Sequence, residues 1–222
     1  MTHDEALELA IRGARREPGE EGWQLVVLDT TRGDVELRHY EVAGARAAAL
    51  FVGGAGGGWD TPGRGRLYPD LCADMVAAGI AAVRVRYRHP NELAECALDV
   101  LAALAYLEDG GIEAAALVGH SFGGAVVAQA AAHSEIVRAL VPMSTQSFGI
   151  DAIAHVPAGC ATLLVHGTAD EVLPPTCSRY AFSLAPEPRE LRLYEHARHG
   201  LDEAADEIRA AVRDWILRAL VS

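Results

Sequence analysis

LVGHSFGGAVVAQAAAH, Leu117 to His133, contains an apolar run that stops at a glycine, a serine between His120 and Phe122, two further glycines, and then an alanine-rich pattern. The run before Gly119, AAALVG from Ala114, is short, apolar and bounded by glycines, which fits a buried strand. The segment from Phe122 to His133 fits a helix. Ser121 is therefore expected at a strand-to-helix junction, where a serine flanked by glycines needs a chemical reason.

Outward from this junction the chain alternates. AAALFV (Ala47 to Val52), IAAVRVRY (Ile80 to Tyr87), VRALVPM (Val137 to Met143), ATLLVHG (Ala161 to Gly167) and RELRLYE (Arg189 to Glu195) read as strands. Between them, Leu67 to Gly79, a long helix opened by Pro90 and closed by Gly110 and Gly111, Pro175 to Leu184, and Leu201 to Val221 read as helices. Apolar strands alternating with amphipathic helices predict an α/β fold whose mostly parallel sheet is covered on both faces. WQLVVLD (Trp23 to Asp29) and DVELRHYE (Asp34 to Glu41) add an antiparallel hairpin at its start, for about eight strands in all.

At the N-terminus, Thr2 with Glu5 matches a capping box, and Leu7, Ala10, Ile11 and Ala14 share one face of a helix. Residues 1–22 are thus expected to be an amphipathic helix and linker, and residues 23–222 one domain. The helix is expected to pack on that domain, with a homodimer contact as the alternative.

Composition bounds the function. Of 222 residues, half are hydrophobic and 23% are charged, as in a compact folded chain. The formal net charge of -12 disfavours nucleic acid as a partner. No apolar run reaches membrane-spanning length, and MTHDEALELAIRGARRE lacks signal-peptide character, so a cytoplasmic location is expected. Cys72, Cys96, Cys160 and Cys177 have no CxxC spacing and read as free thiols. The nine histidines show no metal-ligand spacing, and no cofactor is expected.

Gly119-His120-Ser121-Phe122-Gly123 matches G-x-S-x-G, the nucleophile elbow. The turn pushes the serine oxygen into the crevice beyond the strand ends, with a helix N-terminus behind it. A serine hydroxyl needs a base, and the base needs an orienting acid. Hydrolases with this elbow order them Ser, Asp or Glu, His. HGTADEVLPP supplies Asp170 beyond one strand, with Glu171 beside it, and YEHARHGL supplies His196 and His199 beyond the last. His120 and His166 are expected to make structural hydrogen bonds, and His133 to meet a helix dipole.

GHSFGG, HGTADEVLP and ARHG together, in that order and at those strand ends, resemble the α/β-hydrolase family from about Trp23 onward. The short form is similar to small lidless esterases and the dienelactone hydrolase-like branch, but with a serine where that branch typically has cysteine. The resemblance implies an α/β-hydrolase-fold serine hydrolase with Ser121 as nucleophile, Asp170 as acid and His199 as base. It implies an oxyanion hole from the amides of Phe122 and, by position in the loop Gly53 to Asp60, Ala55. That loop begins Gly-Gly where relatives often have His-Gly. It also implies hydrolysis of a small-molecule, short-chain carboxylic ester through an acyl-enzyme. Acyl transfer, perhydrolysis on the same triad, and a non-catalytic binding module are the rivals.

Ser144 to Cys160 is too short for the helical lid of larger relatives, so the cleft is expected to be open, walled by Trp59, Phe122, Ser147, Phe148 and Leu173. The substrate-binding set is Gly54, Trp59, Phe148 and Arg88. Arg84, Arg86 and Arg88 alternate, which predicts one strand face leading to the cleft. Pairing with Asp99, Glu92 or Glu95 is the structural reading of these arginines, and anion binding by Arg88 the functional one.

Overall fold

The computed structural model describes residues 8–20 and 22–221. Among the described residues nine strands form one sheet: β1 (Ile11–Pro18), β2 (Gln24–Thr30), β3 (Val35–Tyr40), β4 (Ala47–Val52), β5 (Ala81–Arg86), β6 (Ala114–His120), β7 (Val137–Met143), β8 (Ala161–Gly167) and β9 (Arg189–Tyr194). Their order across the sheet is β1-β2-β3-β5-β4-β6-β7-β8-β9. β1, β2 and β3 pair antiparallel, and β3 meets β5 antiparallel. The other neighbours are parallel.

Five helices among the described residues cover the sheet: α1 (Leu67–Ala77), α2 (Leu93–Asp109), α3 (Phe122–Ala131), α4 (Thr176–Leu184) and α5 (Ala205–Leu220). One core contains Val100 and Leu104 of α2, Val126 and Val127 of α3 and Ala181 of α4, packed on Leu50, Leu117 and Leu164. The other contains Leu71 and Met75 of α1 with Ile208, Val212 and Ile216 of α5, packed on Phe51, Val118 and Val165. The four-residue spacing in α5 turns its apolar stripe inward, and each such side chain contributes roughly 1.5–3 kcal/mol by leaving water. α1 and α2 both close on a glycine: Gly79 and Gly111 take φ of +79° and +94°, and the next amides bond back to Met75 and Leu107.

Three expectations change. Ile11–Pro18 is a strand, not a helix, and it raises the strand number to nine. Its register runs Ala14 to Leu28 and Arg16 to Val26 along the free edge of β2, so that part of residues 1–22 belongs to the sheet. All eight residues are exposed along this edge, and Gly13 and Pro18 oppose a helix. The expected capping box and Leu7 lie outside the described residues. α2 begins three residues after Pro90, because Asn91 takes φ +69° and breaks the turn. The alternation of arginines ends with β5 at Arg86.

No helix among the described residues is long and apolar enough to cross a membrane. Between β7 and β8 the chain forms only a short 3-10 turn, Ile150–His155, so no lid domain stands there.

Candidate active site

The chain passes from β4 to β5 on one side and then back to β6 on the other. That reversal opens a crevice beyond the carboxyl ends of β4 and β6. The glycine-rich loop after β4 and Ser121 after β6 occupy its two walls.

Ser121 has φ +58° and ψ −121°, a strained conformation for a residue with a side chain. Its amide is held by the Met143 carbonyl at 2.8 Å. The neighbouring glycines are required by contact: a Cβ on Gly119 would lie 2.1 Å from the Gly123 oxygen, and one on Gly123 2.4 Å from the Gly53 oxygen. A Cβ on Gly124 would meet Thr145 Oγ1 at 2.4 Å. The elbow thus rests on β4 and β7 with no room for side chains.

Ser121 Oγ lies 3.0 Å from His199 Nε2, and His199 Nδ1 lies 2.8 Å from Asp170 Oδ2. A carboxylate only accepts, so Nδ1 carries the proton and Nε2 is free to accept the serine hydroxyl. The Asp170 carboxylate is fully buried. Burial alone would raise its pKa, but the amides of Leu173 and Val172 and the His199 ring outweigh it and hold the group below the usual carboxylate range. The structure brings together the three residues expected from the sequence.

Their competitors are placed elsewhere. The His196 side chain is 92% exposed. Glu171 is also exposed, and its carboxylate accepts the His199 amide at 3.3 Å. His120 donates from Nε2 to the His199 carbonyl at 2.8 Å, with the two rings 4.8 Å apart. Burial drives its pKa down to about 4, so it is neutral near pH 7. His133 donates to the Gln129 carbonyl at the end of α3.

The structure places the two residues expected at an oxyanion hole differently. Phe122 opens α3, directly after the serine. In the facing loop Ala55 is exposed, whereas Gly54 is buried, and a Cβ built on it would lie 3.6 Å from the Ser121 Cβ. Gly54 is the loop residue that abuts the serine. The loop, despite its glycines, is well anchored. Tyr68 donates to the Val52 carbonyl at 2.8 Å and Tyr87 to the Gly53 carbonyl at 3.1 Å. Arg84 donates to the Trp59 carbonyl, and Arg38 is sandwiched between Trp23 and Trp59, 4.6 and 4.4 Å from their rings. Trp59 is half-buried, and Phe148 is 76% exposed.

Arg88 is not presented to the cleft, which corrects its place in the substrate-binding set. Its side chain is 4% exposed and is held by Asp99 and by Glu95 at 3.0 Å, with a further bond to the Arg32 carbonyl at 2.7 Å. Glu92 takes no part in that pairing. The reason is local: β5 ends at Arg86, Arg86 reaches Glu36 at 2.8 Å, and the chain beyond turns Arg88 onto α2.

His166, expected to make structural hydrogen bonds, lies against Asp170. Its Nε2 lies 3.1 Å from Asp170 Oδ2 and 3.0 Å from the Leu173 carbonyl. The available signal was its position four residues before the acid, in the same strand-end motif. Among the described residues no group of three or more metal-ligating side chains could hold a metal ion.

No protein-family profile and no curated protein sequence matches the chain. Solved structures do. Est1E from Butyrivibrio proteoclasticus superposes with a TM-score of 0.71 at 17% identity, covering 95% of this chain and 100% of its own. A dienelactone hydrolase from Anabaena variabilis gives 0.76 at 19%, over 90% and 100%. A serine hydrolase without lid from Xanthomonas campestris gives 0.70 at 20%, over 94% and 99%. The chain has the α/β-hydrolase fold.

Proposed function

We propose that this protein is a serine hydrolase acting on small or short-chain carboxylic esters, with Ser121 as nucleophile, His199 as base and Asp170 as orienting acid. The observation that carries the reading is the chain of contacts from Ser121 Oγ through the two His199 nitrogens to Asp170. Three residues far apart in sequence converge at hydrogen-bonding distances on one crevice, which a merely structural serine does not require. The fold shared with Est1E, a dienelactone hydrolase and a serine hydrolase without lid supports it.

In the proposed reaction Oγ attacks the ester carbonyl while its proton passes to His199 Nε2. Asp170 stabilises the imidazolium through Nδ1–H. The Phe122 amide at the start of α3 and an amide of the Gly54–Ala55 turn stabilise the oxyanion. His199 then protonates the departing alcohol. In the second half it takes a proton from water, which attacks the acyl-enzyme, and returns that proton to Ser121 Oγ as the acyl–Oγ bond breaks and the acid leaves. With no lid, the short-chain preference follows from an open crevice with little wall to hold a long acyl chain.

The test is labelling by a fluorophosphonate probe together with turnover of p-nitrophenyl esters. Ser121 is expected to label, Ser121→Ala to be folded and inactive, and acetyl and butyryl esters to react faster than palmitoyl. Activity in Ser121→Ala within a few-fold of wild type would overturn the reading, and absent labelling of folded protein would favour a binding module. Product analysis with added alcohol or peroxide separates hydrolysis from acyl transfer and perhydrolysis.

A further inference from the structure

The proposed triad does not end at Asp170. Beyond it the His166 side chain is fully buried at the end of β8, and its Nδ1 lies 2.7 Å from Ser178 Oγ of α4, itself fully buried. The tautomer follows from the partners. Nε2 faces two groups that can only accept, the Leu173 carbonyl at 3.0 Å and Asp170 Oδ2 at 3.1 Å, so Nε2 carries the proton. Nδ1 is then bare and accepts the Ser178 hydroxyl. Burial keeps the ring neutral by pushing its pKa down.

This geometry closes a ring of contacts around the acid. Asp170 Oδ1 accepts the Leu173 amide at 2.8 Å, the Leu173 carbonyl accepts His166 Nε2–H, and the same nitrogen sits against Oδ2. Oδ2 is the oxygen that faces His199. We propose that His166, pinned by Ser178, is a positioning residue that fixes the Asp170 carboxylate toward His199. It touches no reacting atom, and it acts by holding both the turn that carries Asp170 and the oxygen that orients the base. This inference rests on the proposed roles of Asp170 and His199.

The experiment compares His166→Gln with His166→Asn. Glutamine places an N–H near the position of Nε2, whereas asparagine reaches only as far as Nδ1. A filler role separates the two through stability alone, the shorter asparagine leaving the larger cavity, whereas a positioning role also separates them in kcat and in the His199 resonance of the folded protein. On p-nitrophenyl acetate we expect His166→Asn to lower kcat about tenfold or more, the worth of one charge-assisted contact, with KM within about twofold. His166→Gln is expected to recover most of kcat. The second readout needs no turnover: the proton NMR resonance of His199 Nδ1–H, bonded to Asp170, should move or broaden in His166→Asn and persist in His166→Gln. If His166→Asn does not fold, Ser178→Ala carries the test, with a kcat loss of about two- to fivefold expected from an imidazole no longer pinned. Equal kcat and equal resonances in the Asn and Gln variants, or an unchanged Ser178→Ala where that substitution is needed, would overturn the positioning role. Absence of both labelling and turnover in wild type would instead sink the hydrolase reading, and the resonance would still report whether His166 orders Asp170.

Discussion

His120 should make the fold sensitive to mild acid. It sits directly before Ser121, 7% exposed, donating to the His199 carbonyl. Burial is the largest influence on it and takes its pKa down to about 4, against the hydrogen bond to the His199 carbonyl and the charges of Asp60 and Asp170, with the His199 ring acting in the lowering direction. In the unfolded chain the same imidazole titrates near ~6.5. Between those values the unfolded state binds a proton that the folded state does not, so stability falls as pH falls through that window, and below about pH 4 the loss is complete. About 2.5 pH units at roughly 1.36 kcal/mol each gives a loss on the order of 3 kcal/mol from this one side chain. That is a large part of the stability of an ordinary domain. Glutamine at position 120 cannot take up a proton, and its amide nitrogen can stand in for the Nε2 donor. Urea unfolding of dilute wild type and His120→Gln at several pH values between 6.5 and 4 should therefore diverge, with the wild type losing on the order of 3 kcal/mol more. His39 and His166, also pushed down by burial, and Asp170, held low, tilt both proteins the same way, and Asp99, raised by burial, tilts both the other way, so all cancel in the difference. Parallel stability curves for the two proteins would refute the reasoning.

Three further outcomes are expected. Gly123→Ala puts a methyl 2.4 Å from the Gly53 carbonyl oxygen, a backbone atom that cannot swing away, and should cost about 3 kcal/mol or more, seen as a lowered melting temperature or insoluble protein. Arg88→Met leaves the buried Asp99 without its cation, while Glu95 keeps Arg32, and should destabilise by about 3–5 kcal/mol in urea; a fold of unchanged stability would show that the pair is not held as described. His199→Ala should lose about three orders of magnitude or more in ester turnover, while His196→Ala, removing an exposed ring, should change it by no more than a few-fold; the reverse pattern would move the base by three residues.

The parts of this fold that were legible in the sequence are those whose neighbours are local or whose burial is two-sided. β4 and β6, buried nearly throughout, announced themselves as apolar runs, and the elbow did so because close approach of the backbone admits only glycine at 119, 123 and 124. β1 was not legible, because its strand conformation comes from the free edge of β2 rather than from its own alternation. The path of Arg88 depended on where β5 ends, and one residue of extra strand would have aimed it differently. Which of Gly54 and Ala55 abuts Ser121 is set by the course of a loop held by Tyr68 of α1, Arg84 of β5 and Tyr87 just beyond it, and spacing alone cannot report that.

The choice between the two histidines after β9 shows how the site is held ready. Gly167 at the end of β8 touches this loop so closely that a Cβ would lie 2.1 Å from the Ala197 oxygen. Ala197 is fully buried, and its carbonyl accepts the Ala169 amide at 3.0 Å. Leu201 is fully buried too, and the Gly200 carbonyl accepts the Gly63 amide at 2.7 Å. With both flanks anchored, His199 is fixed between them, while His196, at φ +63° with its amide on Thr168, is directed to solvent. Positive φ at Ser121, His196 and Leu201 costs roughly 1–3 kcal/mol apiece, and the contacts that offset it are the ones joining the elbow, the acid turn and the base loop. The proposed proton transfer from Ser121 to His199 thus needs no rearrangement of either partner, because the fold has already set their separation at 3.0 Å.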